Sequence, residues 1–398
     1  MDLTIFPNKL SGRIQAIPSK SHAHRLLICA AFSDAVTQIY CPQINQDIEA
    51  TAACLQALGA QIQRTNDGFI VTPADKIPEC ATLDCRESGS TLRFMLPIVG
   101  ALGVNGIFKL SGRLPQRPLS PLWEEMERMG CTLSRPGSDT ISCTGKLRSG
   151  NYTIDGSVSS QFITGLLYAM ALLPGESRLT VTGKTESVPY IRMTQDSLWQ
   201  FGIQTEGYAV KGSYPFRSPG VVNVEGDWSN GAFFLAAKAL GSDIDVAGLS
   251  SDSPQGDRAV SDILKNLDDF STIDASDIPD LVPILAVAAG AKNGAMFTNI
   301  ARLRLKESDR VESVATMLRQ LGADAEADEN TLRISPAKFR GCTIDTFADH
   351  RIAMAAAIAA TVASKPVTIL GAECVAKSYP SFWEEYKRLG GQYEQYIR

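Results

Sequence analysis

Residues 88–96 read Ser-Gly-Ser-Thr-Leu-Arg-Phe-Met-Leu, a small hydroxyl-bearing start that runs directly into an apolar stretch. A serine at such a start can satisfy the free N–H groups of a first helical turn. The apolar run behind it has no polar face, as expected of a helix buried inside its domain with only its N-terminus hydrophilic. The same transition occurs at Ser19-Lys20-Ser21 into Leu26-Leu27-Ile28, at Ser159-Ser160-Gln161 into Leu166-Leu167, and at Asp227-Trp228-Ser229 into Phe233-Phe234-Leu235. Asp280 leads into Ile284-Leu285-Ala286, and Asp349-His350-Arg351 into Met354-Ala355-Ala356.

Roughly 40 residues after each start, a second helix ends in a short apolar signature, closed in most copies by a glycine suited to a left-handed cap. The copies are Leu55 to Gly59, Met126 to Gly130, Leu198 to Gly202, Leu264 to Leu267, Leu318 to Gly322 and Tyr386 to Gly390. The fourth copy has Asp268 in place of the glycine. Most copies are followed by a short alternating run such as Ala60-Gln61-Ile62-Gln63 or Thr331-Leu332-Arg333-Ile334, which predicts an edge or antiparallel strand. The repeat unit is therefore strand, helix, strand, helix, strands. Six units divide into two sets of three, with the break near the loop from Pro215 to Gly220 and the strand Val221 to Val224.

Each buried helix carries partial positive charge and unpaired N–H groups at its N-terminus, which favour anions by about 0.3–1 kcal/mol. Basic residues cluster beside several of these starts: Lys20 and Arg25, Arg93, and His350 with Arg351. N-capping alone does not account for that cluster; if all six N-termini face one cleft, they form an anion trap.

At 398 residues, 44% apolar and 20% charged, the chain is globular and too long for one ordinary domain. It has no apolar run long enough to span a bilayer and no export-like start, so it is expected in the cytoplasm. The net charge of −5 argues against wholesale nucleic-acid binding, so any anion site is local. Nine scattered cysteines, without a Cys-x-x-Cys or a nearby histidine pair, read as reduced and mostly buried thiols, with no metal site.

Seven segments then stand in order: Ile17 to Arg25, Glu87 to Arg93, Gln116-Arg117-Pro118, Ser159 to Phe162, Leu305 to Arg310, Asp349-His350-Arg351 and Ala376 to Pro380. Together they resemble the 3-phosphoshikimate 1-carboxyvinyltransferase (EPSP synthase) family along essentially the entire chain. The resemblance implies an α/β fold, a two-domain inverted α/β barrel with three βαβαββ units in each domain. Residues 19–225 would form the N-terminal domain. Residues 1–18 would join 226–398 in the C-terminal domain, with the active site in the interdomain cleft. The implied reaction moves the enolpyruvyl group of phosphoenolpyruvate onto the 5-hydroxyl of shikimate 3-phosphate by addition and elimination. It needs no metal or organic cofactor, and the family's usual state is a monomer.

Carried over position by position, the resemblance assigns Lys20, Gly89, Arg117, Gln161, Arg310, Arg351 and Lys377 to phosphoenolpyruvate. Lys20, Ser21, Arg25, Ser159, Ser160, Gln161, Ser187, Tyr190, Asp280 and Lys306 fall to shikimate 3-phosphate. Arginine suits such ligands because its planar fork pairs bidentately with carboxylate or phosphate. Asp280 matches the proton acceptor and Glu307 the donor to the methylene carbon, with Lys20 stabilising developing charge. His350 matches a group that positions Arg351 or a phosphate, whereas His22 and His24 match no site position and read as structural.

Glu87 and Arg302 depart from the family pattern, each standing where many members have asparagine. Gly89 implies sensitivity to phosphonate mimics of phosphoenolpyruvate such as glyphosate. Three alternatives are weighed: the sister enolpyruvyl transferase acting on UDP-N-acetylglucosamine, a non-catalytic anion-binding scaffold, and a nucleic-acid-binding relative of the fold. The first typically has Lys-Asn near its start and a cysteine on a mobile loop, where this chain has Lys20-Ser21 and no cysteine around Arg117. Intact Lys20, Asp280, Glu307 and Lys377 speak against the second, and the acidic balance against the third.

Overall fold

The computed structural model describes residues 1–212 and 214–396. The chain forms two compact units: Pro18–Val224, and Met1–Ile17 together with the chain from Glu225 onward. Each has its own hydrophobic core. No helix among the described residues is long and apolar enough to cross a membrane.

The Pro18–Val224 unit contains α1 (Lys20–Ala31), α2 (Gln46–Ala57), α3 (Gly89–Leu102), α4 (Leu122–Arg128), α5 (Ser160–Leu172) and α6 (Val188–Gln200). The second unit contains α7 (Trp228–Ala239), α8 (Val260–Lys265), α9 (Val282–Ala291), α10 (Arg310–Leu321), α11 (His350–Ala360) and α12 (Phe382–Arg388). The odd-numbered helices are the apolar repeats, and they are the most deeply buried. Every residue of α11 is buried, and α9 is buried from Val282 to Gly290. Each fully buried leucine or isoleucine in such a helix contributes about 1.5–3 kcal/mol relative to exposure.

The even-numbered helices mostly stop at the repeated glycine. Gly59 (φ +103°) and Gly322 (φ +99°) lie in the left-handed region, where a side chain is strained. A Cβ at Gly59 would also come within 2.7 Å of the Lys76 carbonyl oxygen.

Five of the six units carry a four-stranded sheet of one design. In the second unit, Cys80–Asp84 runs parallel to Asn105–Lys109, which pairs antiparallel with Thr140–Gly145, and Cys131–Gly137 forms the edge. The first and sixth sheets borrow a strand from far along the chain. Val221–Asn223 lies parallel to Thr37–Tyr40, in register Val222 to Ile39, and supplies the leading strand of the first unit. Asp2–Phe6 inserts between Val367–Leu370 and Gln392–Tyr396 to complete the sixth.

The fourth unit is shorter than the others. Ser11–Gln15 pairs parallel with Asp243–Ala247 in a two-stranded sheet, and α8 ends at Lys265 shortly before the next unit's strand Ser271–Asp274. Its closing hairpin is absent among the described residues. This is the copy in which Asp268 replaces the terminal glycine.

Candidate functional site

In the Pro18–Val224 unit, three buried helices begin at serine caps. Ser19 accepts from the His22 N–H, Ser88 from Thr91 and Ser159 from Gln161. Capping sets the first helical residues, Lys20, Gly89 and Ser160, at fixed places on their helix ends. Lys20 Nζ lies 2.9 Å from Asp47 Oδ2, with 15% and 7% of the two side chains exposed.

Around Gly89 the structure gathers two guanidinium groups. A Cβ on Gly89 would stand 2.7 Å from Arg117 Nη1 and 2.9 Å from Arg93 Nη1, so a larger residue would displace both. Arg93 donates to Gln161 Oε1 at 2.8 Å, and Gln161 Nε2 to Ser90 Oγ at 2.9 Å. The amide of Gln161 is thus oriented from both ends. Two arginines at a helix N-terminus form an electropositive pocket of the kind that binds carboxylate or phosphate. Sequence reasoning named Arg93 as part of a basic cluster but gave it no site role.

Arg25 is 2% exposed and largely committed to the protein. Its Nε donates to Thr194 Oγ1 (2.9 Å), Nη1 to the Ser21 carbonyl (2.7 Å), and Nη2 to Thr164 Oγ1 (3.3 Å) and the Tyr190 carbonyl (2.8 Å). It therefore acts first as a clamp that fixes the backbone of Ser21 and Tyr190. Ser187, 3% exposed, precedes α6 with φ +54°, a left-handed conformation that a serine holds only under constraint.

In the second unit the predicted residues meet in one ionic lattice. Arg310 is 1% exposed and touches three carboxylates: Nη1 to Asp280 Oδ1 (2.7 Å), Nη2 to Glu307 Oε2 (2.7 Å) and Nε to Asp349 Oδ2 (2.8 Å). Arg351 Nη2 holds the other oxygen of Asp280 at 2.9 Å, and its Nη1 donates to the Asp280 carbonyl at 3.2 Å. Asp349, wholly buried, also caps α11 through the Arg351 N–H and accepts from Ser308 Oγ at 3.1 Å. Lys377 stands at 8% exposure at the end of a short helical turn packed on α11.

The charges shift one another strongly. Burial alone would raise Asp280, but Arg351, Lys306 and Arg310 outweigh it and hold the carboxyl well below the usual range. Burial pulls the Lys306 ammonium down to about 7; Asp280 opposes that fall, and Arg302 and Arg310 add to it. Asp257 was not picked out from the sequence. It is wholly buried, accepts from Ser229 Oγ, and is raised to about 7 by burial and by Asp280.

Arg302 donates to the Ser276 carbonyl and so stands near Lys306 as an added cation. A Cβ on Gly112 would overlap the Glu87 carboxylate, which places Glu87 against the loop that leads to Arg117. His350 is 1% exposed, with Nδ1 3.9 Å from Asp349 Oδ1. Among the described residues no group of three His, Cys, Asp or Glu side chains is arranged to hold a metal ion.

The family model described as EPSP synthase (3-phosphoshikimate 1-carboxyvinyltransferase) matches residues 6–386. A 3-phosphoshikimate 1-carboxyvinyltransferase of Clostridium kluyveri is 37% identical over 99% of this chain and 98% of its own length. One from Clostridium acetobutylicum is 38% identical over 98% of each. Among solved structures, EPSP synthase from Acinetobacter baumannii superposes with a TM-score of 0.80 at 25% identity, covering 99% of this chain and all of that one.

Proposed function

The chain belongs to the EPSP synthase (3-phosphoshikimate 1-carboxyvinyltransferase) family, and on that premise we propose how its residues move the enolpyruvyl group of phosphoenolpyruvate to the 5-hydroxyl of shikimate 3-phosphate. The chain is a transferase of the shikimate route to aromatic amino acids. The residues of both units serve this one reaction, without a cofactor and in a cytoplasmic monomer.

The observation that carries the mechanism is the grip of Arg310 and Arg351 on the two oxygens of Asp280. A carboxylate held low by two guanidinium groups is a weak base. The carboxylate of phosphoenolpyruvate offers the same bidentate partner, and as it takes up the two arginines Asp280 loses its counter-charges. Its affinity for a proton then rises at the moment the acceptor hydroxyl must be deprotonated.

The 5-hydroxyl proton passes to Asp280 while its oxygen bonds to the central carbon of phosphoenolpyruvate, and Glu307, which enters the step protonated once the substrate carboxylate has taken up Arg310, gives its proton to the methylene carbon. The tetrahedral adduct collapses with cleavage of the carbon–oxygen bond to phosphate and return of a methyl proton to a carboxylate. Lys20, Arg117 and Lys377 offset charge on the phosphate as it departs, with Gly89 admitting it close to the α3 backbone. Ser21, Ser159, Ser160, Ser187, Tyr190 and Lys306 hold the acceptor, Arg25 fixes two of them, and Gln161 lies between the ligands.

Phosphate release from phosphoenolpyruvate tests this reading, with shikimate 3-phosphate and UDP-N-acetylglucosamine as parallel acceptors. Release with the former alone is expected, and Asp280→Asn should lower kcat by about 10²–10⁴. Release with neither acceptor, or only with the nucleotide sugar, overturns it.

A further inference from the structure

His24, Thr51 and Thr91 are polar side chains with no exposure at all, in a unit whose core is dominated by apolar side chains. They form one continuous string. His24 Nδ1 lies 2.7 Å from Thr51 Oγ1, Thr51 Oγ1 lies 2.7 Å from Thr91 Oγ1, and Thr91 Oγ1 donates to Ser88 Oγ at 2.7 Å. These are well-formed hydrogen bonds of ordinary length, and each residue comes from a different helix: α1, α2 and α3. A hydroxyl has one proton to give. With Thr91 donating to Ser88, Thr51 donates to Thr91, and His24 donates from Nδ1 to Thr51. Burial pushes the His24 imidazole down to about 3, so the string is uncharged at any working pH.

Its position relative to the site is regular. Lys20 precedes His24 by four residues on α1, and Asp47 precedes Thr51 by four on α2. Residues so spaced stack on one helix face. The Lys20–Asp47 ion pair (2.9 Å) therefore sits one turn above the His24–Thr51 bond (2.7 Å), like successive rungs between the same two helices. The last member, Ser88, caps α3 through the Thr91 N–H and immediately precedes Gly89. Thr91 Oγ1 also reaches the Asp47 carbonyl at 3.5 Å. An apolar core would pack these helices as densely, but the string adds bonds whose lengths and angles hold their register as well.

We propose that His24, Thr51 and Thr91 are positioning residues that fix the N-termini of α1, α2 and α3 in register, so that Lys20 and Gly89 present a preset subsite to phosphoenolpyruvate. This rests on the reading above that Lys20 and Gly89 contact that substrate. The string acts through them and touches no ligand.

The test compares Thr51→Val, which keeps the shape but removes the hydroxyl, with Thr51→Ser, which keeps the hydroxyl. Steady-state kinetics of the full chain are measured with each substrate varied in turn. For Thr51→Val, a rise of roughly tenfold in the KM for phosphoenolpyruvate is expected, since small misplacements of binding groups cost that much or more. The KM for shikimate 3-phosphate should move less, because most of its proposed contacts lie on α5, α6 and the other unit. Thr51→Ser should restore the phosphoenolpyruvate KM to near that of the parent.

Equal KM values for phosphoenolpyruvate in the two folded variants and the parent overturn the proposal. If circular dichroism shows that Thr51→Val does not fold, His24→Asn against His24→Leu asks the same question. Asparagine supplies an N–H near the place of Nδ1, so only the leucine variant should lose affinity; an unchanged KM in both is the contrary result. An inactive parent protein would instead count against the assigned reaction.

Discussion

Lys20 is paired with Asp47 beside a string of neutral hydroxyls, whereas Arg310 is held by three carboxylates at once. The two units thus hold their proposed substrate groups by different physics. In the Pro18–Val224 unit, serine caps, threonine hydroxyls and the Gln161 amide set positions. Each such bond is worth only about 0.5–1.5 kcal/mol net, but its direction is strict. In the second unit, opposite charges in a buried lattice set positions, and loss of one partner strands the others. The first arrangement rests largely on uncharged hydroxyls and an amide, beside the Lys20–Asp47 ion pair. The second offers arginines whose carboxylate partners, on the proposed mechanism, a substrate anion replaces.

The contrast is broken most severely at Asp349. Asp349→Ala removes the partner of Arg310 Nε and the cap of α11 together, and should destabilise its unit by about 3–5 kcal/mol. Hydrogen exchange of α10 and α11 amides, compared with those of α3 and α5, reports the loss; a change below about 1 kcal/mol would place this lattice among weak surface pairs.

Gly89→Ala probes the Pro18–Val224 unit. Its methyl meets only the flexible ends of Arg117 and Arg93, so the fold should survive while the phosphoenolpyruvate KM and the glyphosate inhibition constant rise roughly tenfold. Unchanged constants would remove Gly89 from the subsite.

The smallest effect is a pH dependence. Lys306 titrates near 7 in the free protein, and a bound anion favours its charged form. Below that value the lysine is already protonated, so this group gives no pH dependence; above it, binding must take up a proton. Affinity for shikimate 3-phosphate should therefore fall by up to about tenfold per pH unit above 7 until the complex itself titrates. Calorimetry at pH 8 in buffers of different ionisation enthalpy should show proton uptake, and Lys306→Arg should abolish it.

Features governed by near neighbours were readable in the sequence. Ser19, Ser88, Ser159, Asp227 and Asp349 announce helices because a cap satisfies N–H groups only two or three residues away. Asp280 looks the same in the sequence and behaves differently. The capping position of α9 belongs to Leu281, and the Asp280 carboxylate turns instead to arginines 30 and 71 residues further along. No local pattern distinguishes the two cases.

His24 and Thr51 were obscured for a related reason. A polar residue in the middle of a helix reads as structural or surface until the partner on another helix is known. The odd fourth unit did leave a trace, since the missing glycine at Asp268 marks the copy that lacks its hairpin. The resemblance to a known family singled out Arg117, Gly89 and Arg351 through their motifs, but it gave no role to Asp47, Arg93 or Asp257.

The borrowed strands set a schedule for synthesis. Val221–Asn223 emerges last in its unit, so the Pro18–Val224 unit can close as soon as it leaves the ribosome. Asp2–Phe6 is made about 360 residues ahead of its partners Val367–Leu370 and Gln392–Tyr396. At translation rates of about 5–20 residues per second, that strand waits roughly 20–70 s with both edges open. During that interval its sequence, Asp-Leu-Thr-Ile-Phe, carries a single acidic residue to discourage pairing with another chain.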